Sequence, residues 1–173
     1  PAAAPITVSQ MADDAIAERT DRFFVADVEG GLPEAVGDGY DVVIAADVIE
    51  HVRNPDELLA DLAGRMDPAG TIIASVPNFG HWYPRLRTVA GLFDYDQRGI
   101  LDRTHVRFFS RRSFRRTLAN TGLVTTIESY AGLPLDVLGV DGALGNVVAA
   151  GDSLARRVWP TLFAYQFVVR LET

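Results

Sequence analysis

The chain has 173 residues, enough to bury a core as one domain over 1–173. Its 48% hydrophobic and 23% charged content is that of globular material and excludes a disordered tail. A net charge of −7 argues against a nucleic-acid partner, and the lack of cysteine excludes disulfides, thiolate metal sites and cysteine catalysis.

Without disulfides, the reducing cytoplasm is the default compartment. No run of about 18 apolar residues occurs, so no integral membrane span is expected. The start, Pro1-Ala2-Ala3-Ala4-Pro5, lacks the basic region and apolar core of a signal peptide and reads as a processed or cut start.

Ile6-Thr7-Val8 is a short β-like run, and Ser9 suits the cap of a helix over 10–19. A second strand is expected over 22–26, ending on Asp27, before a loop punctuated by Gly30, Gly31, Pro33, Gly37 and Gly39. Residues 41–46 are β-branched and small with no polar alternation, which predicts a strand buried on both faces. Asp47, Glu50 and His51 crowd its carboxyl end, where open α/β sheets bind ligands.

Asn54-Pro55 followed by two acids starts a helix, with Leu58, Leu59, Leu62 and Met66 on one face. A turn at 67–70 precedes a buried strand over 71–76, completing a βαβ unit. Residues 79–109 form a long aromatic-rich insertion of the kind that serves as a lid or substrate loop. Ser110 then caps a helix over 111–120 with Phe114 and Leu118 inward, and Gly122 stops it. A strand over 124–130, partial helix within 131–157 and a last strand over 164–171 close the chain.

Asp41 to Val52, then Asn54-Pro55, Asp67-Pro68-Ala69-Gly70-Thr71 and Ser75-Val76-Pro77-Asn78 resemble class I S-adenosylmethionine-dependent methyltransferases. The segment Gly99 to Phe109 and the tail from Trp159-Pro160 to Phe167 resemble the bacterial branch encoded with or fused to glycosyltransferases. The resemblance runs from about Arg22 to the end, and its specificity lies in the order and spacing of the pieces.

It implies a three-layer α/β/α, Rossmann-like sheet of order 3-2-1-4-5-7-6, mostly parallel, with the last strand antiparallel. Residues 6–8, 22–26, 41–46 and 71–76 map onto the family's strands 2 to 5, and 124–130 and 164–171 onto strands 6 and 7. Two departures stand out. The family's first strand with its glycine-rich cofactor loop has no counterpart before Ile6, so the domain reads as N-terminally incomplete. The end of the second strand, where the family places a ribose-binding acid, reads Val8-Ser9. An incomplete chain, a non-catalytic relative and a rearranged functional domain all fit.

The resemblance implies S-adenosylmethionine as cofactor. It assigns Asp27 to the adenine amino group and the Val28 amide to a ring nitrogen, although a strand-end acid also caps turns. Ala46, Asp47, Glu50 and His51 would line the cofactor's methionine end; the alternative is local turn bonding, with Asp47 capping Glu50. No metal is expected, because two carboxylates and one imidazole suit Mg²⁺ or Mn²⁺ poorly.

For proton removal from an acceptor hydroxyl the candidate is His105, oriented by Asp102, with His81 second. Against this, Asp102-Arg103 reads equally as a structural ion pair. Arg107, Arg111, Arg112, Arg115 and Arg116 read as a solvated face paired with acids rather than a phosphate site.

The implied activity is O-methylation of a sugar or cell-envelope precursor, with a small-molecule or glycan acceptor. The competing reading is a non-catalytic scaffold, arranged as a homodimer through an exposed edge at the 41–46 strand. No glycine fingerprint opens a helix, which argues against a dinucleotide-dependent dehydrogenase.

Overall fold

A computed structural model of the protein describes residues 6–9, 15, 18–135, 139 and 142–173. Most of the helix expected over 10–19 lies outside them. The strands are β1 (Ile6–Ser9), β2 (Arg22–Val25), β3 (Tyr40–Ala46), β4 (Met66–Pro77), β5 (Val124–Ala131) and β6 (Gln166–Glu172). The helices are α1 (Pro55–Gly64), α2 (Trp82–Val89), α3 (Arg111–Asn120), α4 (Gly142–Val158) and the single turn α5 (Pro160–Phe163). No helix among the described residues is long and apolar enough to cross a membrane.

β1 and β2 pair in parallel as a separate ribbon, and the other four strands form a sheet of order β3-β4-β6-β5. β6 runs antiparallel to both neighbours, while β3 and β4 are parallel across α1. The expected antiparallel last strand is therefore present. The sheet is not mostly parallel, however: inserting one reversed strand between β4 and β5 turns two of the three junctions antiparallel.

β3 was expected to be buried on both faces, and it is not. Only Ala45 is fully buried, while Val42 is 54% and Ile44 69% exposed. Among the described residues β3 has one sheet partner, β4, and its other flank opens into a groove of about 160 Å³ whose lining includes Val8, Val28, Val42, Ile44 and Leu58.

The core is one apolar cluster. Leu58, Leu59 and Leu62 of α1, Ile72, Ala74 and Val76 of β4, Phe114 and Leu118 of α3, and Phe167, Val169 and Leu171 of β6 meet in it. The helical spacing of the leucines and the alternate residues of β6 supply matching apolar faces. Ser110 and Ser113 complete a capping box on α3, and Pro55 opens α1.

The expected turn at 67–70 is absorbed into β4 as a bulge: Tyr40 pairs with Met66, but Val42 pairs with Thr71. Gly70 makes the bulge fit, since a Cβ there would lie 2.7 Å from the Tyr40 carbonyl oxygen.

The 79–109 segment leaves and rejoins the fold at one place. Asn78 and Phe109 form an isolated bridge, and the Phe79 amide donates to the Phe109 carbonyl at 2.8 Å. It carries α2 and then a loop whose Asp96 and Asp102 form a second bridge. On α3, Arg111 and Arg115 both pair with Glu128 of β5, while Arg107 donates to the Arg53 carbonyl.

Candidate functional site at the carboxyl end of β3

β3 ends in a sharp turn. Asp47 sits at φ 53°, the one non-glycine residue with positive φ among those described. Aspartate tolerates this left-handed conformation better than most residues, because its short carboxylate can bond locally. Here it bonds across the sheet: Oδ1 accepts from the Ser75 hydroxyl at 3.0 Å, and both oxygens accept from the Gln166 amide at 2.9 Å. The Asp47 carboxylate thus ties together the ends of β3, β4 and β6. It does not cap Glu50. Nor do Asp47, Glu50 and His51 share a helical face, because only the single 3₁₀ turn Ile49–His51 follows. Ala46 lies exposed at the strand end, in register with Ser75.

Ile49 and Val52 anchor that turn in the core and carry Glu50 inward with them. The Glu50 side chain is 1% exposed, and neither carboxyl oxygen has a hydrogen-bond partner among the described residues. Burial, with the Asp47 charge adding to it, pushes the Glu50 carboxyl up to about 8.

The insertion closes over this turn. The amides of Val106 and Arg107 both donate to the Glu50 carbonyl oxygen at 2.9 Å, and the Arg107 guanidinium donates to the Arg53 carbonyl. These bonds place His105 Nε2 3.9 Å from Glu50 Oε1 and set its ring edge-on to His51, with centroids 4.9 Å apart. Desolvation holds the His105 imidazole below its ordinary range, and His51 adds to the effect.

Asp102 does not orient His105 through its side chain. Its Oδ1 accepts from the Thr104 amide at 2.8 Å and the Thr104 hydroxyl at 2.6 Å, closing a local turn. Burial works against Asp102 ionisation, but these two donors outweigh it and hold the carboxyl below its usual range. His105 is oriented instead by the Ile100 carbonyl, 3.2 Å from Nδ1. A backbone acceptor of this kind leaves no side-chain signature.

The other candidates lie elsewhere. His81 is 0% exposed and caps α2, its Nδ1 accepting from the Tyr83 amide at 3.3 Å. Burial drives its imidazole down to about 4, so it is neutral, and its place is structural. Asp27 is exposed after β2, where one oxygen caps the Val28–Gly30 turn through the Glu29 amide. The Val28 side chain joins the core.

Three residues with no expected role hold the site together. Ser75 and Gln166 fix Asp47. Asn78, fully buried, donates to the carbonyls of Ala164 at 2.8 Å and Thr161 at 3.0 Å and accepts from the Gly80 amide at 2.8 Å. All three fall in the segments that carry the resemblance, and that was their only signal.

Residues 5–127, well over half the chain, match the family model of a methyltransferase domain. No curated protein matches the chain. Among solved structures, a SAM-dependent methyltransferase from Archaeoglobus fulgidus superposes with a TM-score of 0.60 at 17% identity, over 97% of this chain and 75% of its own. A SAM-dependent methyltransferase from Thermotoga maritima gives 0.59 at 12%, over 97% and 72%. One from Mesorhizobium loti gives 0.56 at 13%, over 97% and 80%. At these identities the structural likeness is one of fold alone. The family model reaches from β1 into β5 and takes in Asp47, Glu50, His51 and His105: the chain belongs to the methyltransferase-domain family.

Proposed function

We propose that the protein is an S-adenosylmethionine-dependent methyltransferase that acts on a hydroxyl of a sugar or cell-envelope precursor. The observation that carries this reading is the convergence of His105, from the 79–109 insertion, on Glu50 and His51 at the carboxyl end of β3. In a member of this family, that convergence joins a candidate base to the strand end where ligands bind.

Carboxylates at the ends of β2 and β3 suit a cationic cofactor. Asp27 has one oxygen engaged by the Glu29 amide and an exposed side chain, and it would meet the adenine amino group, with the Val28 amide beside it. Ala46, Asp47, Glu50 and His51 would flank the methionine end. When bound, S-adenosylmethionine supplies an electrophilic methyl group on a sulfonium centre. An acceptor hydroxyl held in line with that methyl group would give up its proton to His105 Nε2. The depressed affinity of His105 for protons keeps this lone pair available at neutral pH. Residues 79–109 act as the lid that excludes water and presents the acceptor.

Calorimetry with S-adenosylmethionine and S-adenosylhomocysteine tests the reading. Saturable heat is expected, and no heat at high micromolar cofactor sinks it.

One observation favours a second reading, a dimeric interaction module. β3 offers Val42 and Ile44, each more than half exposed, on a strand with a single described partner. Such an edge pairs readily with another chain. Light scattering that gives a clean monomer removes this alternative.

A further inference from the structure

Glu50 is buried as a carboxyl group without a partner. His105 Nε2 stands 3.9 Å from Glu50 Oε1, too far for a hydrogen bond. His51 completes the group, and one ligand atom from each of the three residues lies within 4.8 Å of the others.

The two imidazoles are held in the same manner. His51 Nδ1 lies 3.1 Å from the Thr104 carbonyl oxygen, and His105 Nδ1 lies 3.2 Å from that of Ile100. A carbonyl only accepts, so each Nδ1 carries the proton and each Nε2 keeps its lone pair. Metal-ligating histidines are fixed in this way, with the second ring N–H given to a backbone carbonyl or carboxylate.

We propose that Glu50, His51 and His105 form a binding site for a divalent first-row transition ion of the Zn²⁺ and Co²⁺ class. Two imidazole nitrogens and one carboxylate oxygen suit such an ion and disfavour Mg²⁺ and Ca²⁺, which seek all-oxygen sites. Donors about 2.0–2.2 Å from a tetrahedral ion stand about 3.3 Å apart. The 3.9 Å between Glu50 and His105 therefore closes by about 0.6 Å, and no separation in the group, at 4.8 Å or less, needs to close by more than about 1.5 Å.

The donor set is not the one the local sequence suggests. Asp47 is committed to Ser75 and Gln166, and His105, more than fifty positions downstream, takes its place. An ion here would compensate the charge that Glu50 takes on when it gives up its proton, which no side chain among the described residues does by hydrogen bonding. It also takes the His105 lone pair assigned above to proton removal, so the loaded protein would have no free Nε2 at His105 for that step. That consequence rests on the methyl-transfer reading, whereas the binding site itself does not.

The test uses the full chain stripped by chelation and titrated with Co²⁺ alone, read by visible d–d absorption and calorimetry. One equivalent should bind, Zn²⁺ should displace it, and millimolar Mg²⁺ should not compete. His51→Ala and His105→Ala, at the less buried positions, should each weaken binding by at least about 100-fold with unchanged near-UV circular dichroism. Absence of saturable Co²⁺ binding overturns the proposal, and so does equal binding by both variants or effective competition by Mg²⁺. Because no cofactor is present, loss of S-adenosylmethionine binding with the metal site intact refutes the proposed function alone, and the converse refutes the metal site alone.

Discussion

Replacing Glu50 by Gln tests the buried carboxyl directly. In metal-free protein its carboxyl is raised from 4.5 to about 8, so the folded chain holds a proton that the unfolded chain has lost throughout the interval between. Stability contributed by this group is complete below pH 4.5 and falls as pH rises toward 8. The histidines act oppositely. His81, lowered from 6.5 to about 4, and His105, also lowered, add stability as pH climbs through 6.5; at that pH an unfolded imidazole is still half protonated, so about 0.4 kcal/mol remains to be gained from each above it. Glu50→Gln shares these histidine contributions, so the difference between wild type and variant from pH 6.5 to 8 isolates Glu50. At about 1.4 kcal/mol per pH unit, falling to half that at pH 8, the wild-type protein should lose about 1.5 kcal/mol relative to the variant across it. Urea unfolding in EDTA at the two pH values reads this as a relative fall of about 1 M or somewhat less in midpoint. The Gln amide also lacks partners, so the variant's absolute stability is not the measure; its slope is, and Glu50→Gln should rise slightly where the wild type falls. The same fall in wild type and variant refutes a buried, unpaired Glu50.

Three further outcomes follow from particular contacts. Asn78→Ala removes a fully buried side chain with three hydrogen bonds and should cost about 3 kcal/mol by urea unfolding at constant pH. Asp47→Ala loses the Ser75 and Gln166 bonds and puts alanine at φ 53°, whereas Asp47→Gly loses only the bonds; the alanine variant should melt lower, by about 1 kcal/mol of stability. Gly70→Ala drives a Cβ to 2.7 Å from the Tyr40 carbonyl oxygen and should cost about 1–3 kcal/mol, with amide exchange accelerated along the β3–β4 pairing.

Where apolar spacing and capping residues act locally, the elements were legible. Leu58, Leu59 and Leu62 marked the buried face of α1, and Ser110, Phe114 and Leu118 marked both the start and the inner face of α3. The run Tyr40–Ala46 was legible as a strand but not in its burial, because a run of β-branched residues looks the same with or without a neighbour to cover it. The bulge at 67–70 was misread for a related reason. Asp67-Pro68-Ala69-Gly70 is turn chemistry, and only its pairing with Tyr40 makes it part of a strand.

The site shows the same boundary between local and distant causes. Asp47, Glu50 and His51 were visible as a polar cluster at a strand end, but their division of labour was not. Asp47 is drawn away by Ser75 and Gln166, residues 28 and 119 positions distant. Glu50 is carried inward because Ile49 and Val52 on either side are core residues. His105 was visible as a candidate base on a loop, yet its position depends on two amides, Val106 and Arg107, finding the carbonyl of Glu50. The acid is therefore bound to the insertion by its backbone while its side chain is left unpaired. A change that frees the insertion from that carbonyl would separate the two imidazoles as well, since Thr104 and Ile100, whose carbonyls orient them, lie on the same segment. Orientation of the imidazoles and attachment of the insertion are thus one structural event, and this is why a loop with little regular structure can hold a three-residue constellation.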